Sequence, residues 1–221
     1  MPVGTRATIK GLTPAQVRAT GSEIILNNAY HLMLRPGDET IAQLGGVHAF
    51  MRWDRPILTD SGGYQAWSMA DINTIDDDGV TFKSIIDGSR IRMTPERSIE
   101  IQNNLGADII MAFDDCPSSV QPQKQNIARR RHALTSREGT MTATQHDQRV
   151  QQSLERTTRW LVRCKIAHAR DEEQALFGIV QGGTDLALRE CSVEQVCNVD
   201  LPGYAIGGVA VGESSQAISE V

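Results

Sequence analysis

Ile57-Leu58-Thr59-Asp60-Ser61-Gly62-Gly63-Tyr64 is the stretch that decides the fold. It reads as a short buried strand running into a tight glycine turn, with one carboxylate where the strand stops. In strand–helix folds the carboxyl end of a strand is where ligands bind. Gly62 and Gly63 carry no Cβ, so backbone N–H groups there can approach a ligand closely. Tyr64 adds an aromatic face. A carboxylate, bare amides and a stacking ring suit a flat, hydrogen-bonding ligand such as a nucleobase. Asp-Ser-Gly loops also arise for purely local reasons, so an ordinary aspartate-closed turn is the competing reading.

Working outward, the same pattern recurs. Glu23 to Asn28 reads as a strand after a short helix capped by Thr13-Pro14. A helix from Glu39 to Leu44 is stopped by Gly45-Gly46. Val80–Ser84 and Arg90–Met93 alternate around Asp87-Gly88 and predict a hairpin. Thr94-Pro95 opens a helix that ends at Gly106. Ala107 to Phe113 is a buried strand ending in Asp114 and Asp115. Leu176 to Val180 ends in Gln181-Gly182-Gly183, and Gly203 to Ile206 ends in Gly207-Gly208. Repeated strand–helix units with polar or glycine groups at successive strand ends predict an α/β chain of (β/α)8 TIM-barrel type. A doubly wound sheet would instead gather its ligand contacts at one switch point. A full barrel takes about 250 residues, so the barrel is expected to be incomplete at the C-terminus, as one domain over 1–221. The set Asp60, Asp114, Gln181 and Gly207-Gly208 matches the edge of a purine-like base: carboxylates accept from ring N–H and amine, a carboxamide does both, and backbone amides donate to a carbonyl.

Composition narrows the function classes. The chain has 221 residues, 40% of them hydrophobic, and a net charge of −5. The chain as a whole is therefore not a basic nucleic-acid binder, and RNA contact would need a local patch. No apolar run approaches a membrane span, and Met1 to Arg6 shows no signal-peptide core. Cys116, Cys164, Cys191 and Cys197 form no C-x-x-C pair, which argues against a disulfide framework and gives no zinc signature. A cytoplasmic, reducing setting is the default. Asp76-Asp77-Asp78 lacks the spacing of a calcium loop and reads as solvated. From 120 to about 148 the periodicity fails, and the segment is rich in Gln, Thr and Arg, with Arg129-Arg130-Arg131 in a row. A mobile insert is expected there, with a helix from Val150 after it.

Five stretches are recognisable together. Leu58-Thr59-Asp60-Ser61-Gly62-Gly63-Tyr64-Gln65, Ala29-Tyr30-His31-Leu32-Met33-Leu34-Arg35-Pro36-Gly37, Met111-Ala112-Phe113-Asp114-Asp115-Cys116, Gly178-Ile179-Val180-Gln181-Gly182-Gly183 and Tyr204-Ala205-Ile206-Gly207-Gly208 closely resemble tRNA-guanine transglycosylase, also called queuine tRNA-ribosyltransferase. The resemblance runs from about Pro2 to Gly212, apart from the insert. It implies a (β/α)8 barrel and exchange of guanine for a 7-deazaguanine at the tRNA wobble position. It implies that Asp60 handles the proton and that Ser61, Gly62, Gly63 and Tyr64 shape the base pocket. Asp114 and Gln181 would hydrogen-bond the base, Gly208 would offer its N–H, and Asn28 would lie near the reacting ribose. Cys116 and Val211 match bacterial members, which implies preQ1 as the entering base. The family's nucleophilic aspartate, basic tRNA loop and Cys3His zinc site fall beyond Val221 in that pattern. No cofactor is therefore expected within these residues, and no exchange by this chain alone. tRNA and a guanine or preQ1 base are the implied partners, and the full-length family allows a homodimer. A non-catalytic subunit partnering a complete enzyme is the alternative.

Overall fold

The computed structural model describes residues 1–68, 73–118, 142–210 and 213–221. Its centre is an all-parallel sheet of five strands: β1 (Ile25–Asn27), β2 (Ile57–Thr59), β6 (Ile109–Met111), β7 (Ala175–Val180) and β8 (Gly203–Ile206), in that spatial order. Ile25 faces Ile57, Leu58 faces Ile109, Met111 faces Phe177 and Val180 faces Ile206. Between β2 and β6 the chain inserts a three-stranded antiparallel sheet, β3 (Asn73–Ile75), β4 (Val80–Lys83) and β5 (Arg90–Met93).

The strand order never reverses. The helices that connect the strands also touch one another in series: α3 (Asp38–Gln43) meets α6 (Pro95–Leu105), α6 meets α7 (Ala143–Ala167), and α7 meets α8 (Leu186–Cys197). A doubly wound sheet would divide its helices between two faces about a switch point. Parallel strands in sequence order behind an ordered row of helices are instead an arc of a barrel. The arc is not closed; β1 and β8 are its two edges, β1 carrying one further bridge to Val3. The remaining helices are α1 (Pro14–Ala19), α2 (Ala29–Leu34), α4 (Gly46–Met51), α5 (Gly63–Ser68) and α9 (Ser215–Ser219).

Local chemistry explains the boundaries. Thr13 caps α1 through a reciprocal capping box with Gln16, and Pro14 occupies the first turn. Thr94 caps α6 by accepting from the Arg97 N–H, and Gly106 ends it at φ +70°. The Arg97 side chain, where a capping box would place Glu, bonds Asp38 and Glu100 instead. The core lies between sheet and helices, with Trp53, Ile99, Ile101, Leu105, Phe113 and Trp160 fully buried. The Phe113 and Trp160 rings stack 4.9 Å apart, and the Phe113 N–H donates to the buried Cys164 Sγ at 3.3 Å. Buried Gln102 ties strands to helix: its Oε1 accepts from Thr59 Oγ1 and the Met111 N–H, and its Nε2 donates to the Met111 carbonyl.

Two readings of the sequence change, and a third gains detail. Gly45-Gly46 ends α3 but also starts α4, a helix the pattern did not show. The acidic run is exposed, as its sequence suggests, and it is paired as well. Asp76 pairs with Arg92, whose guanidinium pulls its carboxyl down to about 2, and Asp77 pairs with Arg156 and Arg159 of α7. The Trp160 indole donates to the Asp77 carbonyl at 2.7 Å. Through Asp77 the run thus ties the antiparallel sheet to α7. Finally, α7 begins at Ala143, not Val150, with Thr142 and Gln145 forming its capping box. The rest of the expected insert, 120–141, including the arginine triplet, lies outside the described residues, as does Val211.

Candidate base-binding site

Asp60 follows the last residue of β2, and its N–H still pairs with the Asn27 carbonyl of β1. The carboxylate is thereby held at the carboxyl edge of the sheet. Its Oδ1 accepts from the Ala29 N–H at 2.8 Å, and its Oδ2 accepts from Gln65 Nε2 at 2.9 Å and from Asn28 Nδ2. Burial raises its pKa; the donors on Asn28, Ala29, Gln65 and Gly62 oppose that rise. Asn28 stands at the start of α2 without a side-chain cap bond; its Nδ2 donates to Asp60 instead.

Asp114 follows β6 by three residues. Its Oδ1 accepts from Ser61 Oγ at 3.2 Å and its Oδ2 from Gln181 Nε2 at 2.7 Å. One carboxylate therefore joins the ends of β2, β6 and β7. Its pKa is pushed up to about 7, by burial first and then by the charges of Asp115 and Asp60, against the Ser61 hydrogen bond. Two neighbouring carboxylates with environments this different can take different proton roles.

The glycines have packing reasons to be glycine. A Cβ on Gly63 would stand 2.9 Å from the Asp114 carbonyl, so the loops after β2 and β6 touch only because residue 63 is bare. Gly208 has φ +69°, and a Cβ there would stand 2.6 Å from Gln181 Oε1. This places the loop after β8 directly against the Gln181 amide. Tyr64 opens α5 with its side chain half exposed; burial and then the Cys116 sulfur raise the pKa of its hydroxyl. Ser61, Asp114, Gln181 and Gly208 thus meet in one cluster, with Asp60 beside it through its charge on Asp114. Tyr64 stands one residue beyond Gly63.

Several partners had no sequence signal. Gln65 sits inside a quoted motif, but only the helical turn of α5 aims it at Asp60. Ser192 Oγ accepts the Gln181 N–H at 2.9 Å. Arg189, buried on α8, donates Nε to the Gly183 carbonyl at 2.8 Å and Nη2 to the Gly207 carbonyl at 2.6 Å. It fastens the glycine loops after β7 and β8 to each other.

Fold and site together define a barrel-type α/β protein that presents paired carboxylates and a carboxamide at successive strand ends. A family model described as queuine tRNA-ribosyltransferase matches residues 1–146 and 137–221, its two segments meeting within 120–148. Curated relatives named queuine tRNA-ribosyltransferase align over the whole chain. The Synechococcus elongatus protein is 49% identical over 221 residues, 51% of its length. The Acetivibrio thermocellus protein is 49% identical, with 53% of its length covered, and the Streptococcus suis protein 48%, with 52% covered. The chain belongs to the queuine tRNA-ribosyltransferase family. It spans about half the length of the curated relatives it matches. Among the described residues no helix is long and apolar enough to cross a membrane.

Proposed function

We propose that this chain carries the base-recognition and proton-handling part of a tRNA-guanine transglycosylase site, acting in the cytoplasm on tRNA. One observation carries the reading: Asp114 is bonded at once to Ser61 and Gln181, with Asp60 beside it. A guanine-type base offers a ring N–H and an exocyclic amine side by side. Asp114 as a carboxylate accepts from that edge, Gln181 supplies a donor and an acceptor, and the Gly208 N–H meets the base carbonyl. The half-exposed Tyr64 ring covers a face. Asp60, wrapped in donors yet raised in pKa, gives a proton to the departing base and takes one from the entering base. Ribose attack requires a separate nucleophile, distinct from these base-recognition residues. No residue of this chain is assigned to zinc. The entering base in this reading is preQ1, and a homodimer is the assembly that the family resemblance allows.

Selectivity between bases tests the reading. Titrated into the chain, guanine and preQ1 bind, whereas adenine, whose corresponding edge lacks the paired donors, binds at least about tenfold more weakly through unmatched buried groups. Equal binding of adenine and guanine would remove the edge-recognition role from Asp114 and Gln181.

A further inference from the structure

The end of β6 delivers two adjacent carboxylates to two different partners. Asp114 bonds Ser61 and Gln181. Asp115 is 3% exposed and turns to α7. There Arg149 grips it with both terminal nitrogens, Nη1 to Oδ2 at 2.8 Å and Nη2 to Oδ1 at 2.5 Å, and Arg156 adds Nη1 to Oδ2 at 2.6 Å. The Asp115 N–H donates to Thr157 Oγ1 at 3.0 Å. Arg149 and Arg156 lie two turns apart on one helix face.

Two guanidiniums on one buried carboxylate are a costly arrangement if stability is their only purpose. An ion pair of this depth seldom outperforms an apolar replacement. Its geometric effect is specific, however. Planar, forked donors fix both oxygens of Asp115, and so fix the chain immediately after Asp114. Arg156 also shares its Nε with the exposed Asp77 at 3.3 Å, so its guanidinium bridges Asp115 and Asp77. The groups that face Asp114 are otherwise neutral or acidic: Ser61 and Asp60 from the end of β2, Gln181 from β7, Cys164 from α7 and Asp115 itself.

We propose that Arg149 and Arg156 are positioning residues for base recognition: by clamping Asp115 to α7 they aim the Asp114 carboxylate at the ligand and place positive charge one residue behind it. The ligand in this statement rests on the base-binding reading above, while the clamp rests on its own geometry. The clamp makes the first half of α7 a working part of the site. Arg149 lies one residue past the stretch, 120–148, that the sequence pattern assigns to an insert.

The test reads Asp114 directly, by carbon-13 carboxyl NMR of the 221-residue chain without base. Arg156→Met and Arg149→Met each move the Asp114 midpoint upward from about 7 by about one pH unit, since a cation is lost. Asp115→Asn moves it downward by a similar amount, since an anion is lost. Arg156→Lys, which keeps the charge, stays near the wild-type midpoint. A merely structural clamp would disturb these variants alike. Unmoved midpoints, or the same sign for Arg156→Met and Asp115→Asn, overturn the proposal. Guanine titration of the same samples reads the ligand part: Arg156→Met loses about tenfold in affinity at pH 7 and recovers it at pH 8.5. Midpoints that move as stated in a chain that binds no guanine leave the clamp standing and overturn the base assignment alone.

Discussion

Gln181 Nε2 donates to Asp114 Oδ2 across 2.7 Å, and this bond joins the carboxyl ends of β6 and β7. A second bond, from Ser61, holds the other Asp114 oxygen to the end of β2. Three strands therefore share one carboxyl group, and the state of that group governs what the site can bind.

Base affinity follows the protonation of Asp114. Burial, then the Asp115 and Asp60 charges, push its pKa up to about 7. Only the ionised form accepts from both donors of a guanine edge. Guanine affinity is expected to be level above about pH 8 and to fall by up to about tenfold per pH unit below pH 7. Calorimetric titrations between pH 5.5 and 8.5 check this; a flat profile would detach binding from Asp114.

The same shift has a consequence for stability, with a definite sign. Asp114 has a folded pKa near 7 against an ordinary value of 3.8. Its contribution is fully present below the ordinary value and is lost as pH rises through 7. Asp114→Asn, which cannot ionise, is expected to melt several degrees above wild type at pH 8. The difference disappears toward pH 4. Thermal unfolding at the two pH values is the measurement.

Gly208→Ala should damage binding more than folding. The added methyl meets Gln181 Oε1 at 2.6 Å on a backbone with φ +69°. Relief comes by displacing the Gln181 amide, the far end of a flexible side chain. Strain of about 1 kcal/mol in unfolding free energy is expected, with a larger loss of guanine affinity, about tenfold or more. Equal small losses in both would mean that Gln181 has no part in the ligand contact.

Trp160→Ala tests how the antiparallel sheet is tied to the arc. Trp160 is fully buried, stacks on Phe113 and donates to the Asp77 carbonyl. Its loss should cost about 3–5 kcal/mol in urea unfolding. Neutralising exposed Arg159, paired with Asp77 at 2.9 Å, should cost under about 1 kcal/mol.

Strand ends were the most legible part of the sequence. β2, β6, β7 and β8 each join an apolar run to a polar or glycine terminus, and all four lie where that pattern put them, within a few residues. Helix caps at Thr13 and Thr94 were equally plain. The start of α7 was not, because its buried face is made of His146, Arg149 and Ser153 alongside Val150, so hydrophobic periodicity has nothing to register. β3 was hidden in an acidic run whose partners lie elsewhere in the chain, Arg92 on β5 for Asp76, and Arg156 and Arg159 on α7 for Asp77. The residues carried by local motifs, from Asp60 to Gly208, could be named in advance as candidates, and the fold brings Ser61, Asp114, Gln181 and Gly208 together. Gln65, Arg149, Arg156, Arg189 and Ser192 could not, since their roles exist only once helices lie across strand ends.

Asp114→Ala tests the central claim most directly. Calorimetric titration of guanine and preQ1 into wild type and variant, at pH 8 where Asp114 is ionised, compares one acceptor present with one removed. The base keeps its desolvation cost and loses its partner, about 1–3 kcal/mol. The variant should therefore bind about ten- to a hundredfold more weakly, with circular dichroism unchanged. Equal affinity in a folded variant would contradict the assignment of Asp114 as the group that reads the base.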